Sequence, residues 1–282
     1  MNIKLAKTAG FCFGVERAVD LTLKNLETDK KVYTWGPPVH NEYVIREMEE
    51  KGAVIFDPED SLDSISEGAT VVLRAHGVSR ETEEALRKRG LNLVDAACPF
   101  VKKIHKTVEK YSKEGAFILI CGDPSHPEVQ GIVGWCAGDY AVAENDASAV
   151  LEQLPKERLI CVVAQTTFRQ NLFQKIVDKI ADMNYNTYIA NTICSATRDR
   201  QEEAAAIASQ VDVMLVVGSA SSSNSQKLYT ICNEHCSHTY FIQSVEDICQ
   251  EWFQDVKDVG ITAGASTPKK IFEEVQNHVG EF

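Results

Sequence analysis

Cys12, Cys98 and Cys194 each stand where an apolar run gives way to a helix-forming stretch, in FCFGVERAVD, ACPFVKKIHK and ICSATRDRQE. They lie 86 and 96 residues apart and so open three segments of similar length. In each segment a glycine follows the cysteine by 24 residues (Gly36, Gly122, Gly218), and four residues later comes a side chain able to grip an anion: His40, His126 and Ser222. Taken singly, any one of these thiols reads as an ordinary buried cysteine. Their shared placement in three repeats reads as a ligand set. Three thiolates meeting at one point suit an iron–sulfur cluster, because iron accepts soft sulfur donors. A cubane held by only three cysteines keeps its fourth iron open to a substrate oxygen.

A second layer lies in PPVHN, DPSHPEVQG and SASSSNS, each between an expected strand and an expected helix. Exposed N–H groups and the dipole at a helix start favour a phosphate there. Ser222, Ser223 and Asn224 are equally good helix caps, but capping does not account for histidines at the two matching places. A third, looser layer follows the next strand in RAHGVS, AQTTFR and TAGASTP, offering His76, Thr166 (with Thr167 beside it) and Ser266. Glu128, two residues after His126, is the carboxylate nearest these polar positions in sequence. An enclosed site would raise its pKa and let it donate a proton to a leaving oxygen; the plainer alternative is a solvated first-turn glutamate. The other six cysteines follow no threefold pattern, and Cys232 and Cys236 read as helix packing. His105, His235, His238 and His278 read as surface or structural.

These residues must be positioned by alternating strands and helices. KVYTW, AVIF, TVVLRA and LNLVDA read as strands in the first third, with helices over ERAVDLTLKNL, EYVIREMEEKG and RETEEALRKRG. The second third gives AFILIC, YAVA, LICVVA and TYIANT, with helices starting near Val101, Val129 and Gln170; the last gives VDVMLVVG, TYFI and VGITA, with helices near Asp199, Ser225 and Lys269. Runs such as VMLVV and ICVVA suit strands buried on both faces of a parallel sheet. The third repeat lacks a closing strand, and IKLAKTAGFC at the other end of the chain matches LNLVDAAC and TYIANTIC. The expected fold is α/β: three pseudo-threefold-related units, each a small, mainly parallel sheet flanked by helices, around a central cavity that holds the cluster. Their bounds are 12–97, 98–193 and 194–282, with residues 1–11 completing the last.

Composition bounds the function. The 282 residues are 44% hydrophobic and 25% charged, as in a globular protein with a proper core. The nine cysteines are spread over a long chain in which no export signal is read, which points to reduced thiols, metal ligands or buried core residues and to a cytoplasmic protein. The absence of any C-x-x-C argues against a thioredoxin-type pair or a zinc ribbon. A net charge of −12 argues against nucleic-acid binding, and no apolar run is long enough for a membrane span. Neither G-x-G-x-x-G nor G-x-x-x-x-G-K-[ST] occurs. An iron–sulfur sensor of a phosphorylated metabolite and a zinc or metal-free hydrolase remain alternatives at this point.

GFCFGVERA, PVHN, RAHGVS, DAACPFV, SHPEVQG, AQTTF, NTICSATRDRQ, VGSASSSNSQKL and TAGAS together resemble the 4-hydroxy-3-methylbut-2-enyl diphosphate reductase family, along essentially the whole chain. The resemblance implies the last step of the methylerythritol phosphate route to isoprenoids: reductive dehydroxylation of an allylic diphosphate to isopentenyl and dimethylallyl diphosphate. It implies one [4Fe-4S] cluster on Cys12, Cys98 and Cys194. It also implies a diphosphate grip by His40, His76, His126, Ser222, Ser223, Asn224 and Ser266, with Thr166 near the reacting end and Glu128 as proton source. A ferredoxin or flavodoxin would be the electron donor, and the protein a monomer or weak dimer. One departure is Ala97, where the family pattern has threonine before the cysteine.

Overall fold

Strands and helices alternate from end to end of the computed structural model, which describes residues 1–28, 30–144 and 147–282. The first third runs β1 (Asn2–Leu5), α1 (Phe13–Leu26), β2 (Val32–Trp35), α2 (Glu42–Glu50), β3 (Val54–Phe56), β4 (Thr70–Leu73), α3 (Arg80–Lys88) and β5 (Asn92–Asp95). It continues with α4 (Pro99–Lys113), β6 (Phe117–Cys121), α5 (Pro127–Val133), β7 (Tyr140–Ala143), α6 (Ser148–Glu152), β8 (Ile160–Ala164), α7 (Gln170–Asp182) and β9 (Thr187–Ile189). The last part is α8 (Ser195–Ala208), β10 (Val213–Val217), α9 (Ser223–His235), β11 (Thr239–Ile242), β12 (Asp258–Ala263) and α10 (Lys269–Val279).

Among the described residues these strands form three four-stranded sheets, ordered β3-β2-β4-β5, β7-β6-β8-β9 and β11-β10-β12-β1, and every pair is parallel. The inner strands are the β-branched runs. VYTW, TVVL, ICVVA and VMLVV are buried at every position, because helices cover both faces. Outer strands such as NIKL, NLVD and TYI are partly exposed. The missing strand of the last sheet is β1, which pairs with β12 in the register Asn2↔Asp258 to Leu5↔Ile261.

The chain divides into two compact units. One comprises Met1–Glu16, Val39–Glu47 and Ser195–Phe282 and contains the third sheet. On one face Val213, Leu215, Val217, Val259 and Ile261 pack against Ile271, Phe272, Val275 and Val279 of α10. On the other, Met214 and Val216 meet Ala204 and Ala208 of α8 and Leu228 and Cys232 of α9. The alanines are what let α8 lie close to the sheet. The second unit comprises Arg17–Pro38 and Met48–Cys194 and contains the other two sheets. They are tied together through Trp135, whose Nε1 donates to the Val78 carbonyl (2.9 Å) and whose ring stacks on His105.

The elements depart from the sequence expectation at their ends. α1 starts at Phe13 rather than Glu16, because the Cys12 carbonyl already accepts from the Glu16 amide (3.0 Å) despite the glycines of GFCFG. β9 stops at Ile189, short of TYIANT, because the Thr192 hydroxyl replaces the strand partner, donating to the Ala164 carbonyl (2.6 Å) and accepting from its amide (2.8 Å). The short α6 was not anticipated. Cys232 and Cys236 pack around α9 as expected, while Cys121 and Cys161 are core residues on β6 and β8. Burial pushes the thiols of Cys121, Cys161 and Cys232 up to about 12, so they are inert packing groups.

Candidate active site

Each sheet has the same switch point. The chain leaves its first inner strand (β2, β6 or β10) toward one edge and returns on the far side as the second (β4, β8 or β12). In such sheets ligands bind beyond the carboxyl ends of the two strands where the order reverses. The sequence-predicted polar residues follow these six strands: His40 after β2, His76 after β4, His126 and Glu128 after β6, Thr166 after β8, Ser222 to Asn224 after β10, and Ser266 after β12. The three cysteines follow the outer strands β1, β5 and β9.

One hydrogen bond recurs at all three. The Cys12 amide donates to the Ala265 carbonyl (3.2 Å), the Cys98 amide to Ala75 (2.9 Å) and the Cys194 amide to Thr166 (3.0 Å). The acceptor lies just past β12, β4 or β8, next to or at Ser266, His76 or Thr166. The backbone of each cysteine is thereby held to that of a third-layer loop, and all three cysteines are partly accessible.

In the second unit His76, His126, Glu128 and Thr166 form one cluster. The rings of His76 and His126 meet edge to face with centroids 5.4 Å apart. His126 caps α5, its Nδ1 accepting from the Glu128 amide (3.1 Å). With Nδ1 an acceptor, the neutral ring carries its proton on Nε2, a donor suited to a phosphate oxygen. Glu128 is only 2% exposed, which removes the solvated-glutamate alternative. Its Oε1 accepts from the Thr166 amide (2.6 Å) and its Oε2 from the Thr166 hydroxyl (2.7 Å). Both donors of Thr166 thus reach that carboxyl.

The loop carrying His76 turns at Gly77, with φ +72, and a Cβ there would lie 2.6 Å from His105 Cε1. His105 is buried beneath this loop, and desolvation lowers its pKa to about 4 against the smaller opposing pull of Asp95, so it is a neutral packing group. This agrees with its structural reading from sequence.

In the first unit the serine-rich loop starts α9. Ser222 is the cap, accepting from the Ser225 amide (3.3 Å). Asn224 is 5% exposed, and neither its Nδ2 nor its Oδ1 has a hydrogen-bond partner. Leaving a buried donor or acceptor unmet costs about 1–3 kcal/mol, which makes this amide a candidate for binding a ligand. The Ser266 hydroxyl donates to the His40 carbonyl (2.9 Å), joining two predicted binding residues through the backbone of one of them. The loop is pressed onto the sheet: a Cβ at Gly218 or Gly264 would lie 2.3 or 2.0 Å from Ser225 Oγ.

Three residues near these clusters were not anticipated. Glu42 Oε1 accepts from the hydroxyls of Ser219 (2.9 Å) and Ser221 (3.3 Å). Burial raises its pKa, but the Ser219 hydroxyl, its own backbone and the Ser221 hydroxyl outweigh that and hold it below the usual range. Lys227 donates to the Ser223 hydroxyl (2.9 Å) one turn along α9. Gln165, wholly buried next to Thr166, uses Oε1 to accept from the Asp123 amide (3.2 Å), while its Nε2 has no partner. An exposed-looking glutamate, an i,i+4 lysine and a glutamine in a strand-end motif carry no sequence signal that sets them apart.

Residues 3–280 match the model of the LytB protein family. The chain is 41% identical to a 4-hydroxy-3-methylbut-2-enyl diphosphate reductase of Caldanaerobacter subterraneus subsp. tengcongensis, over 98% of this chain and 95% of that one. It is 42% identical to the protein of the same name from Aquifex aeolicus, over 100% and 97%. Among solved structures it is similar to (E)-4-hydroxy-3-methyl-but-2-enyl diphosphate reductase, the terminal enzyme of the non-mevalonate pathway, with TM-score 0.72, 40% identity and full coverage of both chains. It is also similar to the E-1-hydroxy-2-methyl-but-2-enyl-4-diphosphate reductase of Plasmodium falciparum, with TM-score 0.91 and 30% identity over 98% of this chain and 87% of that one. With a family model spanning nearly every residue and relatives matched along their full length, the chain belongs to the LytB protein family.

Proposed function

We propose that this protein is a 4-hydroxy-3-methylbut-2-enyl diphosphate reductase that takes up two electrons and two protons, expels the allylic hydroxyl as water and yields isopentenyl and dimethylallyl diphosphate. The observation that carries the reading is the buried Glu128–Thr166 pair at the end of β8, with the Cys194 amide bonded to the Thr166 carbonyl. A buried carboxyl bonded to Thr166, and Thr166 bonded in turn to the Cys194 backbone, support Glu128 as the proton source.

The donor set fits an iron–sulfur group. Three partly accessible thiols end three equivalent strands, each with its amide pinned, while the buried thiols belong to the cores. Cys12, Cys98 and Cys194 would hold a [4Fe-4S] cluster. When bound, that group supplies electrons singly and Lewis acidity at its iron without a thiolate.

The chain's own side chains bind, orient and protonate. The diphosphate is gripped by His40, His76, His126, Ser222, Ser223, Asn224 and Ser266. Asn224 gives its unmet Nδ2 to a phosphate oxygen, and His126 gives its Nε2 proton. Preorganised donors of this kind stabilise the developing charge without reorganising at the moment of reaction. When Glu128 takes up a proton at Oε2 its hydrogen bond with Thr166 Oγ1 reverses, and Thr166 gives its own hydroxyl proton to the departing oxygen as it receives that of Glu128; the Thr166 amide at Oε1 keeps the carboxyl from rotating away. The three sheets act as repeats 12–97, 98–193 and 194–282 with 1–11. The protein works in the cytoplasm, with a ferredoxin or flavodoxin as donor; among the described residues no helix is long and apolar enough to cross a membrane.

Anaerobic purification with iron and sulfide analysis, followed by assay with 4-hydroxy-3-methylbut-2-enyl diphosphate and a strong one-electron donor, tests this. Brown protein with about four irons and four sulfides, forming both products, is the expected result. Colourless protein, or brown protein that never forms product, refutes it.

A further inference from the structure

Two arginines outside the proposed ligand and substrate residues grip the backbone that leads into two of the three cysteines. Arg200 of α8 is 3% exposed, although a guanidinium is costly to bury unless its donors are used. Its Nε donates to the Thr8 carbonyl (2.8 Å) and its Nη2 to the Gly10 carbonyl (2.7 Å). Both acceptors lie in the loop between β1 and Cys12. The same loop turns at Gly10, with φ +91, where a Cβ would lie 2.5 Å from the Phe272 ring. Glu203, one turn further along α8, accepts from the amides of Lys7 (2.9 Å) and Thr8 (2.8 Å) and from the Thr8 hydroxyl (2.6 Å).

Arg17 of α1 makes the corresponding grip on the loop that ends in Cys98. Its Nη2 donates to the Asp95 carbonyl (2.9 Å) and its Nη1 to the Ala97 carbonyl (3.2 Å). In both cases a planar fork spans two carbonyls that are two residues apart, just ahead of a cysteine. Arg17 follows Cys12 by five residues and Arg200 follows Cys194 by six, so each arginine sits on the helix opened by a different cysteine from the one whose loop it holds. The third loop departs from this pattern. Its residue Thr192 bonds directly to the Ala164 backbone in both directions, within its own sheet.

We infer that Arg200 and Arg17 are positioning residues that fix the loops bearing Cys12 and Cys98, so that these two thiols are already placed when an iron–sulfur group is assembled. This rests on the reading of the three cysteines as its ligands. The arginines touch neither substrate nor sulfur in this scheme. They act through carbonyl oxygens, and lysine cannot replace them fully, because a single ammonium does not match the two-pronged geometry.

The test resolves the cysteines individually. Full-length wild type, Arg200→Met and Arg17→Met are purified anaerobically, analysed for iron and sulfide, stripped with a chelator and treated with iodoacetamide, and each thiol is then followed by peptide mass spectrometry. Arg200→Met is expected to raise the alkylation rate of Cys12 severalfold and leave Cys98 and Cys194 near wild type. Arg17→Met raises Cys98 and spares Cys12, although Arg17 stands on the helix that Cys12 opens. The buried Cys161 and Cys232 report global unfolding. If the methionine variants expose them, Arg200→Lys and Arg17→Lys carry the test, with smaller shifts in the same pattern. Iron should also be lost to the chelator faster from both variants than from wild type. Unchanged rates at the named cysteine, or equal rises at all three, overturn the inference. Wild-type protein without iron and sulfide would instead defeat the cluster reading, and the alkylation pattern would still decide whether the arginines hold the loops.

Discussion

Glu128 and Asn224, both proposed as functional residues, differ in pairing: the Glu128 carboxyl is hydrogen-bonded and the Asn224 amide is not. Glu128→Gln keeps the size and the Thr166 contacts but removes the transferable proton, so turnover should fall by about 10²- to 10⁴-fold with little change in substrate binding. Steady-state kinetics beside a direct binding titration separate the two quantities, and undiminished turnover would strip Glu128 of its role. Asn224→Ala removes an amide that the empty protein leaves unpaired. Substrate affinity should drop by about tenfold, the scale of one good hydrogen bond, while the substrate-free melting temperature holds or rises. A loss of both would mean that Asn224 is a structural residue. At this scale repetition in the sequence made legible the equivalent placement of the three cysteines, and of His40 and His126, beyond strand ends. It was silent on Arg17, Arg200 and Glu42, whose partners lie tens to hundreds of residues away and whose types are common on helix surfaces.

The strands and helices were legible because their apolar periodicity is strong, and the position of each polar residue beyond a strand end followed from them. What escaped was set by single contacts. Thr192 ends β9 early by taking its bonds, and the Cys12 carbonyl starts α1 across Gly14. The glycines after β10 and β12 were visible as motifs, but not their reason, which is the Ser225 side chain pressed between them. Gly264→Ala would bring a methyl to 2.0 Å from Ser225 Oγ and lift α9 from the sheet. A destabilisation of about 1–3 kcal/mol is expected, together with a raised KM, because Ser222 to Asn224 ride on the same helix start. Urea melts and kinetics check this; a variant with wild-type stability and KM would show that the loop adapts freely.

Across the molecule, buried His105 ties stability to pH. Unfolded, it takes up a proton near pH 6.5; folded, burial delays this to about pH 4. Between these values the unfolded chain binds more protons, so stability rises with pH through this window and is lost as pH falls. His105 contributes nothing to the pH dependence above about 6.5 and costs up to about 3 kcal/mol near pH 4. Asp95 opposes the shift and Lys102 adds to it. Urea melts of His105→Phe, which keeps a ring against Trp135, should lose most of this slope relative to wild type; an unaltered slope would place the titration elsewhere.

The parallel pairing of β1 with β12 also sets an order of events in the cell. The β1 segment has no partner until residue 258 and its neighbours have been made, so the last sheet closes only after the long stretch of chain between the two strands is complete. The loop bearing Cys12 is anchored to Ala265 and Arg200, both of which also come late. On the proposed reading of the cysteines, a chain interrupted before these residues would lack the anchors that hold the Cys12 loop, and cluster assembly would wait for them.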